Sequence, residues 1–222
     1  MKRTPLSARA LPNYSRGEEA MNFVTHTAGG GLALLALVLT LCKAIPLGAA
    51  AIAAAAIYGL SMVAVYTISS VYHGLPKGTA KKVLQVIDHC TIYLLIAGSY
   101  TPIMLLAMAP AYPAIGYGML AFQWAACGLA ITLTAIDLKK YRTFSMTCYV
   151  GMGWGIALFF PQTWAVLGPA GFYWLLSGGI AYTIGAVLFA LGSRNKWMHP
   201  VFHLFVILGS LLQWVCIYFY VL

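Results

Sequence analysis

Hydrophobic residues run along this chain in long blocks, broken by isolated charged positions. The uncharged windows cover residues 20–42, 44–76, 89–136, 143–193 and 197–222, which is 23, 33, 48, 51 and 26 residues. A helix that crosses a bilayer needs about 20 apolar residues. The first, second and last windows hold one such helix each. The 48- and 51-residue windows hold two each, provided a turn divides them. Both contain turn chemistry, with Pro110 and Pro113 in one and Pro161, Gly168 and Pro169 in the other. Proline removes a backbone donor and disfavours helix in the residue before it. The pattern predicts seven helices, near 22–42, 47–73, 84–108, 113–135, 144–160, 166–191 and 199–221. The runs are continuous rather than alternating, which excludes a transmembrane β-barrel. The expected fold is all-α: a polytopic seven-helix membrane domain over 22–222, preceded by a tail over 1–21.

Composition agrees. Of 222 residues, 62% are hydrophobic and 8% are charged, where a soluble domain carries roughly 25% charged residues. So few charges cannot cover a soluble surface, and so apolar a chain is not disordered. The cations then set the orientation. Lys2, Arg3, Arg9 and Arg16 lie in the tail, and Lys77, Lys81 and Lys82 in the second loop. Lys139, Lys140 and Arg142 lie in the fourth loop, Arg194 and Lys196 in the sixth, and only Lys43 on the other side. The positive-inside rule puts the N-terminus in the cytoplasm. The net charge of +9 is explained by topology and by contact with anionic lipid. No basic run carries interleaved aromatics, so membrane lipids are the expected partners and nucleic acid is not. The first apolar run begins about 20 residues in and is long enough to span, which reads as a helix rather than a cleaved signal peptide. The five cysteines are scattered without CxxC pairing and read as packing residues.

Ionisable groups inside such a bundle are functional candidates. The predicted spans put Asp88 and all five histidines (His26, His73, His89, His199 and His203) in one layer near the inner leaflet. His199 and His203 are four residues apart, so they share a helix face about 6 Å apart along the axis. This is a spacing used by two imidazoles on one metal. Ser69 stands one turn before His73 on the same face. Three neutral imidazoles and a water form the open site of a catalytic zinc, and a nearby carboxylate can take a proton from that water. Each residue also has a plainer role. Asp88 could bridge to Lys81 or Lys82, Ser69 could bond back to its own helix, and His199 could be an N-cap with Pro200 behind it. Pro102 is expected to kink the third helix. Gly151, Gly153, Gly155, Gly178 and Gly179 are expected to allow close helix contact or a bend.

The segments Ser69-Ser70-Val71-Tyr72-His73, Asp88-His89-Cys90-Thr91-Ile92-Tyr93 through Pro102, and His199-Pro200-Val201-Phe202-His203 resemble the hemolysin III family. So do Asn22, His26 and Met152-Gly153-Trp154. That family sits with the progestin and adipoQ receptors, which are related in turn to alkaline ceramidases. The resemblance implies seven transmembrane helices and a zinc ion (Zn2+) near the cytoplasmic face, held by His73, His199 and His203. It implies that Asp88 holds the zinc-bound water and that Ser69 accompanies it, and it leaves no ligand role for His26 or His89. The function expected is a zinc-dependent hydrolase of a lipid amide or ester, or a lipid-homeostasis factor, in a bacterial inner membrane. The competing readings are a sensor with structural zinc, a cytolysin and a proton-coupled transporter.

Overall fold

Ser15 begins the first helix with a reciprocal cap. Its hydroxyl accepts from the Glu18 amide at 3.3 Å, and the Glu18 carboxylate accepts from the Ser15 amide at 2.9 Å. This capping box satisfies donors at a helix start that otherwise go unpaired. In the computed structural model, which describes residues 4–192 and 195–222, α1 therefore runs Arg16–Ala44. The helix begins six residues before the expected boundary, so residues 16–21 are helix rather than tail. Lys2, Arg3 and Arg194 lie outside the described residues.

The other long helices are α2 Ala49–Gly74, α3 Thr79–Pro102, α4 Pro113–Ile136, α5 Arg142–Trp154, α6 Phe160–Leu191 and α7 Met198–Tyr220. No strand occurs among the described residues. Six helical runs among them are long and apolar enough to cross a membrane, counting Arg142–Leu191 as one run of 50 residues. Pro102 acts as expected. It has no N–H to continue the α ladder, and the chain passes into a π-helix over Ile103–Met108. Inside α6, Gly168 adopts φ 66 and ψ 174 before Pro169, a conformation that needs glycine and that divides the helix.

Consecutive helices pack side by side from α1 to α7, and α7 returns to α1. Tyr58, Met62 and Tyr66 of α2 meet Tyr100 of α3, Met104 and Met108 of the π-helix, and Cys216 and Ile217 of α7 in the central core. Gly29 lets α1 approach α2, because a Cβ there would meet the Tyr66 ring at 2.8 Å. Gly178 does the same for α6 against Gln213 of α7 at 2.6 Å. By contrast Gly151, Gly153 and Gly179 have open space where a Cβ would stand. The outer surface is apolar, with Leu158 80% and Phe219 60% exposed, as lipid contact requires.

One end of the bundle gathers the basic connections. The N-terminal segment lies across it. Thr4 N–H donates to Asp137 after α4, and Arg9 donates to the Ile136 carbonyl. Lys82 of α3 donates to the Ser7 carbonyl, and Trp197 before α7 donates to Glu18. Lys43 is at the other end, where its ammonium donates to the Tyr218 carbonyl and lies over the Tyr218 ring. The Thr4 hydroxyl and the amides of Lys140 and Thr4 hold the Asp137 carboxyl well below the usual carboxylate range. A lowered folded pKa contributes stability above about pH 4 that is lost as pH falls through the folded value. Asp137→Ala is therefore expected to loosen the N-terminal segment at neutral pH, as acid does in the native chain. Hydrogen exchange of amides 4–15 tests this, and unchanged protection in the variant contradicts it.

Candidate metal centre

Four histidines meet just inside the basic end. His73 ends α2, His199 and His203 lie on the first two turns of α7, and His26 faces them from α1. His73, His199 and His203 are all buried, and each offers one nitrogen within 4.8 Å of the others. Among the described residues this is the one group of three that can hold a metal ion. His199 is not an N-cap. Trp197 takes that position with φ 66, and His199 is inside the helix. Pro200 then falls in the first turn, where a missing N–H costs no intrahelical bond.

The far side of each ring decides which nitrogen faces the centre. His73 Nδ1 lies 2.6 Å from the Glu19 carboxylate, so Nδ1 carries the proton and Nε2 keeps a lone pair. The Asn22 side-chain NH2, 3.3 Å from the same Nδ1, is then a neighbour and not a donor to it. Nε2 of His73 is buried and has no hydrogen-bond partner. A buried nitrogen lone pair left bare is costly and is what a metal would satisfy. Thr25 works in the same way on His203. Its hydroxyl donates to the Met21 carbonyl at 2.8 Å, so at 3.3 Å it accepts from His203 Nδ1. His203 Nε2 faces His199 Nε2 at 3.2 Å. Without a metal, one proton must sit between them, and a cation replaces it. The donor set is three imidazoles, with the far nitrogens of His73 and His203 oriented by Glu19 and Thr25, which suits a divalent transition metal such as zinc.

Glu19 is itself held by Lys81, whose ammonium lies 2.9 Å away. Lys81 is buried and also donates to the carbonyls of His73 and Leu75 at 3.2 and 2.9 Å. The expected loop cation is thus a strut between α3, α2 and α1. Asp88 does not bridge to it. The Ser69 hydroxyl of α2 faces the Asp88 carboxyl on α3, and Asp88 stands outside the ligating group. Tyr14 completes the surroundings, stacked on His199 with ring centroids 4.9 Å apart and tilted over His73 at 5.9 Å. Burial, with Glu19, Asp88 and Glu18 nearby, raises its phenol above the ordinary value.

His26 and His89 differ. His26 stacks on His203 with centroids 3.6 Å apart, and neither of its ring nitrogens has a hydrogen-bond partner. His89 turns away, hydrogen-bonded through Nδ1 to the Gln85 carbonyl at 2.8 Å. Sequence reasoning did not single out Glu19, Thr25 or Tyr14. The Ser15-Arg16-Gly17-Glu18 capping pattern could have found Glu19, since it puts Glu19, Asn22 and His26 on one face of α1 at i, i+3 and i+7.

Fold and site together define an all-helical protein with membrane-crossing helices and a buried three-histidine cluster able to hold a metal. The chain belongs to the hemolysin III family, because the Haemolysin-III related family matches residues 14–214. It is 35% identical to Hemolysin-3 of Bacillus cereus over 206 residues, 92% of each chain. It is 33% identical to the Hemolysin-3 homolog of Bacillus subtilis (strain 168), covering 91% of this chain and 94% of that one. It is 26% identical to the Monocyte to macrophage differentiation factor of Homo sapiens, covering 74% of this chain and 68% of that protein, which fits the wider progestin and adipoQ receptor superfamily.

If Glu19 orients His73, Glu19→Gln weakens zinc or cobalt binding by about 10–100-fold while the helical content stays native. Competition with a metal-sensitive dye measures this, and unchanged affinity contradicts the assignment.

Proposed function

We propose that this hemolysin III family member is a zinc-dependent hydrolase of a lipid amide or ester, working in a bacterial inner membrane. One observation carries the reading: the bare, buried Nε2 of His73 beside the paired Nε2 atoms of His199 and His203. Such a set with an open position is the pattern of catalytic rather than closed zinc sites. When bound, zinc polarises the substrate carbonyl and lowers the pKa of water. The chain's own groups do the rest. His73, His199 and His203 are the ligands. Asp88 takes the proton of the attacking water on a carboxylate oxygen and returns it to the leaving amine or alkoxide. Ser69 keeps that carboxylate turned towards the site.

The topology proposed has seven spans with a cytoplasmic N-terminus. The run Arg142–Leu191 starts after Asp137 and ends before Trp197, and both of these residues contact the N-terminal part of the chain. A run that leaves and returns to one end is two crossings, divided near Gly168. The basic end then faces the cytoplasm by the positive-inside rule.

A second reading has Tyr14 in its favour. Its ring covers His199, as it would in a closed site of a sensor with structural zinc. Two substitutions separate the readings. His203→Ala is expected to abolish stoichiometric metal in the purified protein. Asp88→Asn is expected to keep the metal and lower kcat on lipid amides or esters by about 10²–10⁴-fold. Metal retained by His203→Ala refutes the site, and full turnover by Asp88→Asn refutes the role of Asp88. A metal-loaded native chain that turns over no lipid amide or ester leaves the sensor.

A further inference from the structure

Of the histidines, His89 and His199 line a cavity at the basic end. Its volume is about 660 Å³, within the roughly 300–1,000 Å³ of ligand sites. It extends from the N-terminal segment and the connections either side of α5 and α6 down to His89 and His199. Four of its lining residues are cations: Arg9, Lys139, Arg142 and Lys196. The one carboxylate in the lining is Glu18, and its oxygens are occupied by the amides of Ser15 and Trp197. Asp137, close to Arg9, accepts from the amides of Thr4 and Lys140. Arg9 spends two donors on the carbonyls of Thr4 and Ile136. Among the described residues none of these four cations is in an ion pair.

Topology explains cations at this end but not their convergence on one cavity. Lys77, Lys82 and Lys140 satisfy the same rule at the same end and stand outside its lining. Lys77 and Lys82 are bonded to Asn13 and to the Ser7 carbonyl. Neither group is in an ion pair among the described residues; the cavity cations differ in facing one shared concave space. Three of the four, Lys139, Arg142 and Lys196, are exposed and come from two separate connections. An arginine fork with lysine point charges around a concave space suits a phosphate.

We propose that this cavity binds a phosphate-class anion beside His199, either free phosphate or the headgroup of an anionic lipid. This names a headgroup class for the proposed lipid-directed site, and rests on that reading only for the ligand's part in turnover. The binding itself is independent of metal.

The test uses the full chain in nanodiscs of phosphatidylcholine, with or without phosphatidylglycerol. Native mass spectrometry reads retained lipid, and calorimetry reads inorganic phosphate. A triple variant, K139Q/R142Q/K196Q, is compared with R16Q/K77Q/K140Q, which removes the same charge from the same end at residues outside the lining. The first is expected to bind about 10–100-fold more weakly than the native chain, and the second to bind like it. Arg142→Gln alone replaces the triple if that variant does not fold, with weaker binding again expected. Retained phosphatidylglycerol without phosphate binding identifies the source as a lipid headgroup, and phosphate binding identifies a free anion. No binding by the native chain, or equal loss in both triples, overturns the proposal. His203→Ala separates this from the metal reading, because it is expected to keep the anion whatever happens to the metal.

Discussion

The Glu19 carboxylate accepts a hydrogen bond from His73 Nδ1–H at 2.6 Å, and the arrangement of the site depends on it. That bond fixes the tautomer, which leaves Nε2 as a bare lone pair aimed into a buried space. It also ties α1 to α2, and Lys81 extends the tie to α3 at 2.9 Å. His73 and Lys81 are buried while Glu19 is partly exposed, and losing Glu19 leaves the buried Lys81 charge uncompensated. The set therefore acts as a register. Glu19, Lys81 and His73 meet only when three helices stand at the correct depth relative to one another. α7 is fixed to the same frame by Thr25 at His203 and by Glu18 at the Trp197 amide.

This frame explains why the N-terminal segment matters to a site built mainly on helices α2 and α7. Tyr14 lies over His73 and His199, and Asp137 and Lys82 hold the preceding residues down. The segment is at once a wall of the cavity and a cover for the histidines. Access to the centre from this end must pass between it and the cations at the ends of α4 and α6.

The helices were legible because the chain carries so few charges. A window of 20 or more uncharged, apolar residues has almost no other solution. His73, His199 and His203 were legible because residues four apart share a face and because the predicted orientation puts helix ends in one layer. The structure brings those three together. Glu19 was not legible in that way. The charge pattern places it in the tail, whereas the capping box starts the helix at Arg16. Asp88 is the one carboxylate that the predicted spans include in the histidine layer; Glu19, bonded to buried His73 and Lys81, is a second. Lys81 was misplaced for the same reason: its long stem buries while its ammonium finds Glu19 and two carbonyls. The stacking of His26 on His203 has no sequence signal, because it depends on the rotation of α1 against α7.

On the proposed function, His73, His199 and His203 together hold one metal ion. X-ray absorption at the zinc edge of the purified full-length protein tests it most directly. One zinc per chain is expected, with the multiple-scattering signature of three imidazoles, falling to a sub-stoichiometric and altered signal in His73→Ala. A native chain purified with zinc available that carries none, or whose zinc shows no imidazole scattering, contradicts it.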